Sequence, residues 1–312
     1  MDSVTEKETT VTWEIENKLK EYHLNMKING YADATINLSW SILEILIKRG
    51  ADLTKPKTVK KVISEQNWSD NRRRNVINAY SQLLKYLGLT WKEPICNVTR
   101  KLPFIPTTEE VKDLIAGCSV PVATFLQLLF ETAMRSGEAI KLKWIDVDFE
   151  RRIISCNSPE KGSEARIFNK ISGKLLSMLN AMPRKNDYVF GESTAYSLKA
   201  TFTRSRKRLA FKLQNPRLNA IHFHTLRHFR ATLEYHRTKD LLHVQQFLGH
   251  REVKNTMLYI QLDKKLFQNS DSDQFMTRIA HNAKEACKLI DVGFEYVTGE
   301  YSDGGKIFRK RK

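Results

Sequence analysis

Residues 91–106 divide this chain into two parts that we expect to fold separately. Three prolines, Pro94, Pro103 and Pro106, fall within this stretch, and neither helical nor strand periodicity runs through it. With 312 residues, the chain is long enough for two domains of about 100–200 residues each. We predict a flexible N-terminus over residues 1–12, a first domain over 13–90, a linker over 91–106, a second domain over 107–270 and a C-terminal extension over 271–312.

The hydrophobic pattern predicts helices in both domains. In the first domain, Leu38, Ile42 and Leu46 form an apolar stripe at helical spacing, and no segment has convincing strand periodicity. In the second domain, residues 152–156 and 165–168 are expected to be short strands around a polar turn, with helices on both sides. The C-terminal extension is predicted to be a strand, a helix and a hairpin with a basic tail. The predicted fold class is mainly α with a small antiparallel sheet: an all-α first domain and an α+β second domain.

The charge balance favours a polyanionic partner. Lysine and arginine total 52 against 35 acidic residues, which gives a formal net charge of +17. Charge alone does not separate DNA from RNA or from an anionic membrane, and a basic surface without a partner is the alternative for any single run. The candidate residues for binding a polyanion, DNA if the resemblance described below holds, are Arg72, Arg73 and Arg74 in the first domain, and Arg204, Arg206, Lys207 and Arg208 in the second.

Several classes of protein are disfavoured by what the sequence lacks. The four cysteines are far apart and form no C-x-x-C pair, which is typical of a protein of the reducing cytoplasm. No apolar run approaches the ~18–20 residues that span a bilayer, and the N-terminus is not signal-like. His224 and His228 have the i, i+4 spacing of zinc ligands, but no glutamate follows His224 and no cysteine is near, so no metal is predicted.

Five short segments between residues 135 and 259 carry the functional signal. In chain order they are Arg135-Ser136-Gly137-Glu138, Lys161 in the turn between the strands, His224-Thr225-Leu226-Arg227-His228, Leu248-Gly249-His250, and Tyr259 nine residues later. Together and in this order, over about Thr107 to Gln261, they resemble the tyrosine recombinase (phage integrase) family. The C-terminal ending, with Val292–Val297 and Phe308–Lys310, is similar to archaeal integrase-type recombinases.

The resemblance implies a role for each residue. Tyr259 would attack a DNA phosphodiester, and His224 would accept the phenol proton as general base. Arg135, Arg227 and His250 would donate to the nonbridging oxygens of the five-coordinate phosphorane, where fixed cationic donors are most effective. Lys161 would protonate the departing 5′ oxygen, and Glu138 and His228 would orient the site. No metal is expected, because two arginines and a lysine would supply the positive charge that Mg²⁺ supplies in other enzymes. No nucleotide cofactor is expected, because the covalent 3′-phosphotyrosine conserves the energy of the broken bond.

The implied function is site-specific recombination through a Holliday junction. The partner would be double-stranded DNA carrying specific sites, bound by a core-binding first domain and the catalytic second domain. The protein would be a homotetramer on DNA, a monomer or weak oligomer when free, and nucleoid-associated in the cytoplasm. Two alternatives remain open: a type IB topoisomerase, whose pattern typically has lysine in place of His224, and a DNA-binding regulator of the same fold that has lost catalysis.

Overall fold

The structure, a computed structural model, describes residues 17–99, 101–191, 193–267, 275–299 and 304–311. It divides into two compact units, Met1–Lys101 and Leu102–Lys312. The N-terminus predicted to be flexible, residues 1–12, lies outside the described residues. Within the described ranges, no helix is long and apolar enough to cross a membrane.

Over residues 17–99, the regular structure of the first unit is helical. Its helices are α1 (residues 17–28), α2 (Asp33–Lys48), α3 (Pro56–Glu65) and α4 (Asp70–Tyr86). Two of them begin with expected start signals: Pro56 opens α3, and the Ser69 side chain accepts from Arg72 N at the start of α4. The fully buried Tyr80 donates from its hydroxyl to Leu53 O at 2.9 Å, so the core aromatic has its polar atom satisfied.

In the described residues between 102 and 267, the second unit has eight α-helices and a small sheet. The helices are α5 (Thr108–Ala116), α6 (Val120–Thr132), α7 (Ser136–Ile140), α8 (Gly173–Asn180), α9 (Ala195–Lys212), α10 (Phe223–Thr238), α11 (Leu241–Leu248) and α12 (Leu258–Phe267). The strands β1 (Val147–Asp148), β2 (Ile153–Cys156) and β3 (Arg166–Phe168) form an antiparallel sheet in that order. A capping box formed by Thr107 and Glu110 sets the start of α5.

The position of α6 explains how distant motifs meet. This helix is apolar on nearly every side, and Phe125, Leu128 and Leu129 are fully buried, as expected for a helix at the centre of a core. Helix α10 packs against α6 on one side and α12 on another, and α11 also contacts α10. The end of α6, the start of α10 and the start of α12 therefore surround one region of the molecule.

The C-terminal part of the second unit contains its own small sheet. Strands β4 (Phe275–Ala280), β5 (Glu295–Thr298) and β6 (Lys306–Arg311) pair antiparallel in the order β4-β6-β5, with α13 (Ala283–Asp291) between β4 and β5. Ala280, Phe294 and Phe308 form a separate core beneath α13. The predicted fold class is confirmed: the protein is mainly helical with small antiparallel sheets, although the β-structure is divided between two sheets rather than one.

Candidate active site

The structure brings seven of the predicted residues together from four helical regions. They are Arg135 and Glu138 at the start of α7, His224, Arg227 and His228 in α10, His250 just after α11, and Tyr259 in α12. We refer to these seven residues as the active-site cluster. Their interactions are mutual, since the charges of Arg135 and Arg227 both affect the pKa values of His224, His250 and Tyr259.

Arg227 organises the cluster from inside the protein. Its side chain is fully buried, with 1% exposure. Nη1 donates to Ala133 O at 2.5 Å and Nη2 to Leu248 O at 2.8 Å. Ala133 ends α6 in the left-handed conformation two residues before Arg135, and Leu248 ends α11 two residues before His250. The same guanidinium thus places the segments that carry two other members of the cluster, and burial lowers its pKa to about 10.

A buried carboxylate fixes the position of Arg135. Glu138 is 1% exposed; its Oε1 accepts from Arg135 Nη1 at 2.9 Å and its Oε2 from the Arg135 backbone N–H at 2.8 Å. Arg166, on β3, donates from Nη2 to Glu138 Oε2 at 2.5 Å. Burial alone would raise the pKa of Glu138, but the hydrogen bonds from the Arg135 backbone and from Arg166 lower it. The carboxylate therefore stays ionised, and it joins the two arginines. Arg135 also donates to the hydroxyl of Ser163 in the β2–β3 turn.

The phenol of Tyr259 is held inside the protein by a histidine. Tyr259 is 1% exposed, and its hydroxyl lies 3.2 Å from His228 Nδ1. Burial raises the pKa of the phenol to about 12, although the positive charges of Arg227 and Arg135 act in the opposite direction. The contact made by Tyr259 is with His228 rather than with His224, whose ring packs edge-on against His228 at a centroid distance of 4.5 Å.

The three histidines of the cluster are neutral at pH 7. Partial burial lowers the pKa of His224, and the charges of Arg227 and Arg135 lower it further. Burial, followed by the neighbouring His224 and Arg227, lowers the pKa of His228 to about 4. Burial and nearby Arg227 lower the pKa of His250 to about 3. His250 Nδ1 is hydrogen-bonded to the hydroxyl of the fully buried Thr256 at 3.0 Å, which orients its ring.

Lys161 lies at the edge of the cluster. It is exposed in the β2–β3 turn, with a positive φ of 53°, and its charge is among those that lower the pKa of His224. A lysine on an exposed turn can change its position more readily than the buried arginines can.

The candidate DNA-binding residues lie on two helices, α9 and α4. Arg204, Lys207 and Arg208 are exposed on α9. Arg206 is 6% exposed and donates from Nη1 to Ile221 O at 2.5 Å, so its position does not favour the predicted phosphate contact. The remaining three, Arg72, Arg73 and Arg74, are half-buried in the first turns of α4, where Arg74 also donates to Cys96 O.

The histidines outside the cluster have other partners. His236 lies 2.7 Å from Asp263 Oδ1, and His243 lies 2.9 Å from Glu234 Oε1. In the part of the chain that the structure describes, no group of three or more histidines, cysteines and carboxylates is arranged to hold a metal ion.

Two residues of this region were not found from the sequence. Arg166 contacts Glu138, and Thr256 contacts His250. An arginine between apolar residues of a short strand was the available signal for Arg166. Thr256 had none, because a threonine three residues before Tyr259 is unremarkable without its contacts.

Comparison with known proteins shows what this chain is similar to. The model of the phage integrase family matches residues 106–265, which is just over half of the chain. Tyrosine recombinase XerA of Saccharolobus solfataricus is 27% identical over 191 residues, covering 61% of this chain and 62% of that protein. A probable integrase/recombinase of Acholeplasma phage L2 is 23% identical over 281 residues, covering 80% of this chain and 94% of that protein.

Solved structures agree on the fold. A lambda integrase tetramer bound to a Holliday junction has a TM-score of 0.62 at 13% identity, covering 78% of this chain and 76% of that one. The Tn1549 transposon integrase in complex with transposon right end DNA has a TM-score of 0.60 at 16% identity, covering 81% of this chain and 99% of that one. At these identities the likeness shows the fold.

The helical fold, together with the family match across the cluster, defines an enzyme of the tyrosine recombinase class. The chain belongs to the phage integrase family. The family and the enzyme class predicted from the sequence motifs are confirmed.

Proposed function

We propose that this protein is a site-specific recombinase that cleaves and rejoins double-stranded DNA through a 3′-phosphotyrosine and a Holliday junction. The observation that carries the proposal is the placement of the Tyr259 phenol, hydrogen-bonded to His228 and close to the charges of Arg227 and Arg135. A nucleophile that must become an anion is thus held beside two fixed cations, and these also suit the charge that develops on the phosphorane.

In the proposed reaction, Tyr259 Oη attacks phosphorus as the bond to the 5′ oxygen breaks. The phenol proton goes to His224, which is neutral at pH 7 because its pKa is lowered and which the phenol reaches once α12 has moved. His228 keeps the phenol in place before attack. Arg135, Arg227 and, through its Nε2 atom, His250 donate to the nonbridging oxygens, and Lys161 gives a proton to the 5′ oxygen. Because Tyr259 is 1% exposed, a phosphodiester reaches it only after α12 moves.

The proposed assembly is a homotetramer on two duplexes, assembled from a monomer or weak oligomer. The basic composition is consistent with DNA as the partner, and the proposal includes nucleoid association in the cytoplasm. The reaction would integrate or excise a mobile element, or resolve chromosome dimers. Units corresponding to the core-binding and catalytic domains would both contact the duplex, with Arg72, Arg73, Arg74, Arg204, Lys207 and Arg208 as candidate phosphate contacts.

Capture of covalent DNA tests the nucleophile and identifies the target. The full chain is incubated with a library of duplexes that have a randomised core and a bridging 5′-phosphorothiolate at successive positions. A thiolate leaving group does not rejoin, so adducts accumulate on a denaturing gel and their DNA can be sequenced. Tyr259→Phe should form no adduct, whereas Tyr296→Phe, an exposed tyrosine of β5, should form as much as the parent.

Other outcomes of this capture are equally informative. An undiminished adduct with Tyr259→Phe would refute the assignment of the nucleophile. Capture of all sequences alike, with relaxation of any supercoiled plasmid, would favour a topoisomerase, and a parent chain that binds DNA without forming an adduct would favour a regulator. Addition of EDTA should leave the yield unchanged.

The role of Lys161 has its own test. A thiolate leaves without prior protonation, because thiols are far more acidic than alcohols. Lys161→Ala should therefore cleave a normal phosphodiester at least about 100-fold more slowly than the parent, yet cleave the phosphorothiolate at nearly the parent rate. An equal loss on both substrates would assign the proton to another residue.

A further inference from the structure

We propose that Arg166 is a positioning residue of the active site. On one side it holds Glu138 and, through Glu138, Arg135. On the other side it packs against Gly249, the residue before His250. The inference rests on the proposed strand cleavage, and it adds a residue that the family motifs quoted above do not include. Three independent contacts support it.

The first contact is the shared carboxylate. Arg135 Nη1 donates to Oε1 of Glu138 at 2.9 Å, and Arg166 Nη2 donates to Oε2 at 2.5 Å. With a guanidinium on each oxygen, the carboxylate cannot rotate without losing a charged hydrogen bond. Arg166 therefore fixes the group against which Arg135 is oriented. Removing it would leave Glu138, which is 1% exposed, with part of its buried charge unpaired.

The second contact involves Arg166 and its own hairpin. The side chain is 7% exposed, Nη1 donates to Glu164 O at 3.1 Å, and the guanidinium lies 5.7 Å from the ring centre of Phe168. These contacts hold the arginine in one place on β3. Since the same hairpin carries Lys161 in its turn, Arg166 links the position of that turn to Glu138.

The third contact is with Gly249. A Cβ atom added at this glycine would lie 2.9 Å from Arg166 Nη1 and 3.3 Å from its Cδ and Cζ atoms. Gly249 also has a φ of +66°, which favours glycine, and it directly precedes His250. Arg166 thus packs against the backbone that places His250. Its charge also contributes, after burial and the charges of Arg227 and Arg135, to the lowered pKa of His250.

Arg166 acts through other residues rather than on the phosphate. Its side chain is 7% exposed, and Nη1 and Nη2 are directed at protein acceptors, Glu164 O and the buried carboxylate of Glu138. Loss of Arg166 should therefore slow cleavage without weakening the binding of DNA. Removal of a residue that supports the groups of a site from behind typically lowers activity by about 10–100-fold.

The test compares Arg166→Met and Arg166→Lys with Arg152→Met. Arg152 is a matched control, because it lies beside the same hairpin and donates from Nε to Ile171 O at 2.9 Å, away from the cluster. Single-turnover cleavage is measured at saturating concentrations of a captured phosphorothiolate duplex, and DNA affinity is measured in parallel. We expect Arg166→Met to cleave about 10–100-fold more slowly with an affinity within about twofold of the parent, Arg166→Lys to recover part of the rate, and Arg152→Met to match the parent.

A second readout needs no DNA. The pKa of His250 is measured by NMR titration in the parent, Arg166→Met and Arg166→Lys. In Arg166→Met, which lacks the cation, this pKa should rise above its parent value of about 3. Arg166→Lys keeps a positive charge, so the rise should be smaller. If Arg166→Met does not fold, Arg166→Lys carries both comparisons. If the Arg166 variants cleave at the rate of the parent and the pKa of His250 does not change, the inference is overturned. A parent chain that forms no adduct would instead refute the proposed function, and the titration would still decide the place of Arg166.

Discussion

His228 and His250 show how the fold changes the chemistry of a residue that the sequence supplies. Both rings are held neutral by burial and by the arginines around them, with pKa values of about 4 and about 3. A neutral imidazole can accept a hydrogen bond from the Tyr259 phenol or donate one to a phosphoryl oxygen. The proposed reaction therefore does not require either histidine to be protonated.

The lowered pKa values make stability depend on pH. An unfolded histidine binds a proton below about pH 6.5, whereas folded His228 and His250 do so near pH 4 and pH 3. Protons are therefore taken up on unfolding in this range, and the free energy of unfolding falls as the pH is lowered from about 6.5 to about 5. The expected slope is up to about 1.4 kcal/mol per pH unit for each histidine.

Urea denaturation at several pH values across this range measures the slope. His228→Gln removes one of the two histidines with the large shifts and should reduce the dependence by up to about 1.4 kcal/mol per pH unit. The buried carboxylates with lowered pKa values, including Glu138, lose their contribution at still lower pH and do not interfere above about pH 5. An unchanged slope in His228→Gln would contradict the lowered pKa.

At the scale of elements, spacing and turn chemistry predicted most of what forms locally. The capping box at Thr107, the helical spacing of His224 and Arg227, and the hairpin around Lys161 all follow from neighbours in the sequence. The bond from Arg227 to Ala133 O could not be predicted, because these residues are 94 positions apart and neither has a local pattern that points to the other.

Besides the bond between His228 and Tyr259, a buried carboxylate helps to hold helix α12 against α10. Asp263 is 8% exposed, and it accepts from Lys239 Nζ at 2.6 Å and lies 2.7 Å from His236 Nδ1. In the proposed function α12 moves before Tyr259 meets DNA, and this contact would oppose that movement.

Asp263→Asn should loosen α12. It keeps the shape of the side chain but removes the charge that both partners contact. Amide hydrogen exchange in residues 258–267 should become about tenfold faster or more, corresponding to about 1.4 kcal/mol or more of local stability. Asp291→Asn, at the exposed end of α13, is the control and should leave this exchange unchanged. Equal exchange in Asp263→Asn and the parent would show that the contact does not restrain α12.

At the scale of the whole molecule, the net charge of +17 sets the expected behaviour toward DNA. Each phosphate contact releases counterions, so the logarithm of the binding constant should fall linearly with the logarithm of salt concentration, by about 0.9 for each contact. Lys207→Gln removes an exposed cation on α9 and should make the slope shallower by about 0.9.

The neighbouring Arg206 is the comparison for this titration. Its charge is buried and bonded to Ile221 O, so Arg206→Gln should lower stability and leave the slope as in the parent. Fluorescence anisotropy between about 50 and 200 mM salt measures both variants. If Arg206→Gln changed the slope as much as Lys207→Gln, the distinction between exposed and buried cations on α9 would be wrong.

The sequence by itself determined the class of the protein. The class could be recognised from the order of Arg135, the histidine–arginine pair in α10, His250 and Tyr259. The chemistry of these residue types is known without the fold. Tertiary structure decided which residues touch. Burial of Arg227 between Ala133 and Leu248, the bond between His228 and Tyr259, and the place of Arg166 between Glu138 and Gly249 all join segments far apart in the chain. Such contacts follow from the packing of α10 against α6 and α12, which arises from the burial of apolar surface and leaves no local pattern in the sequence.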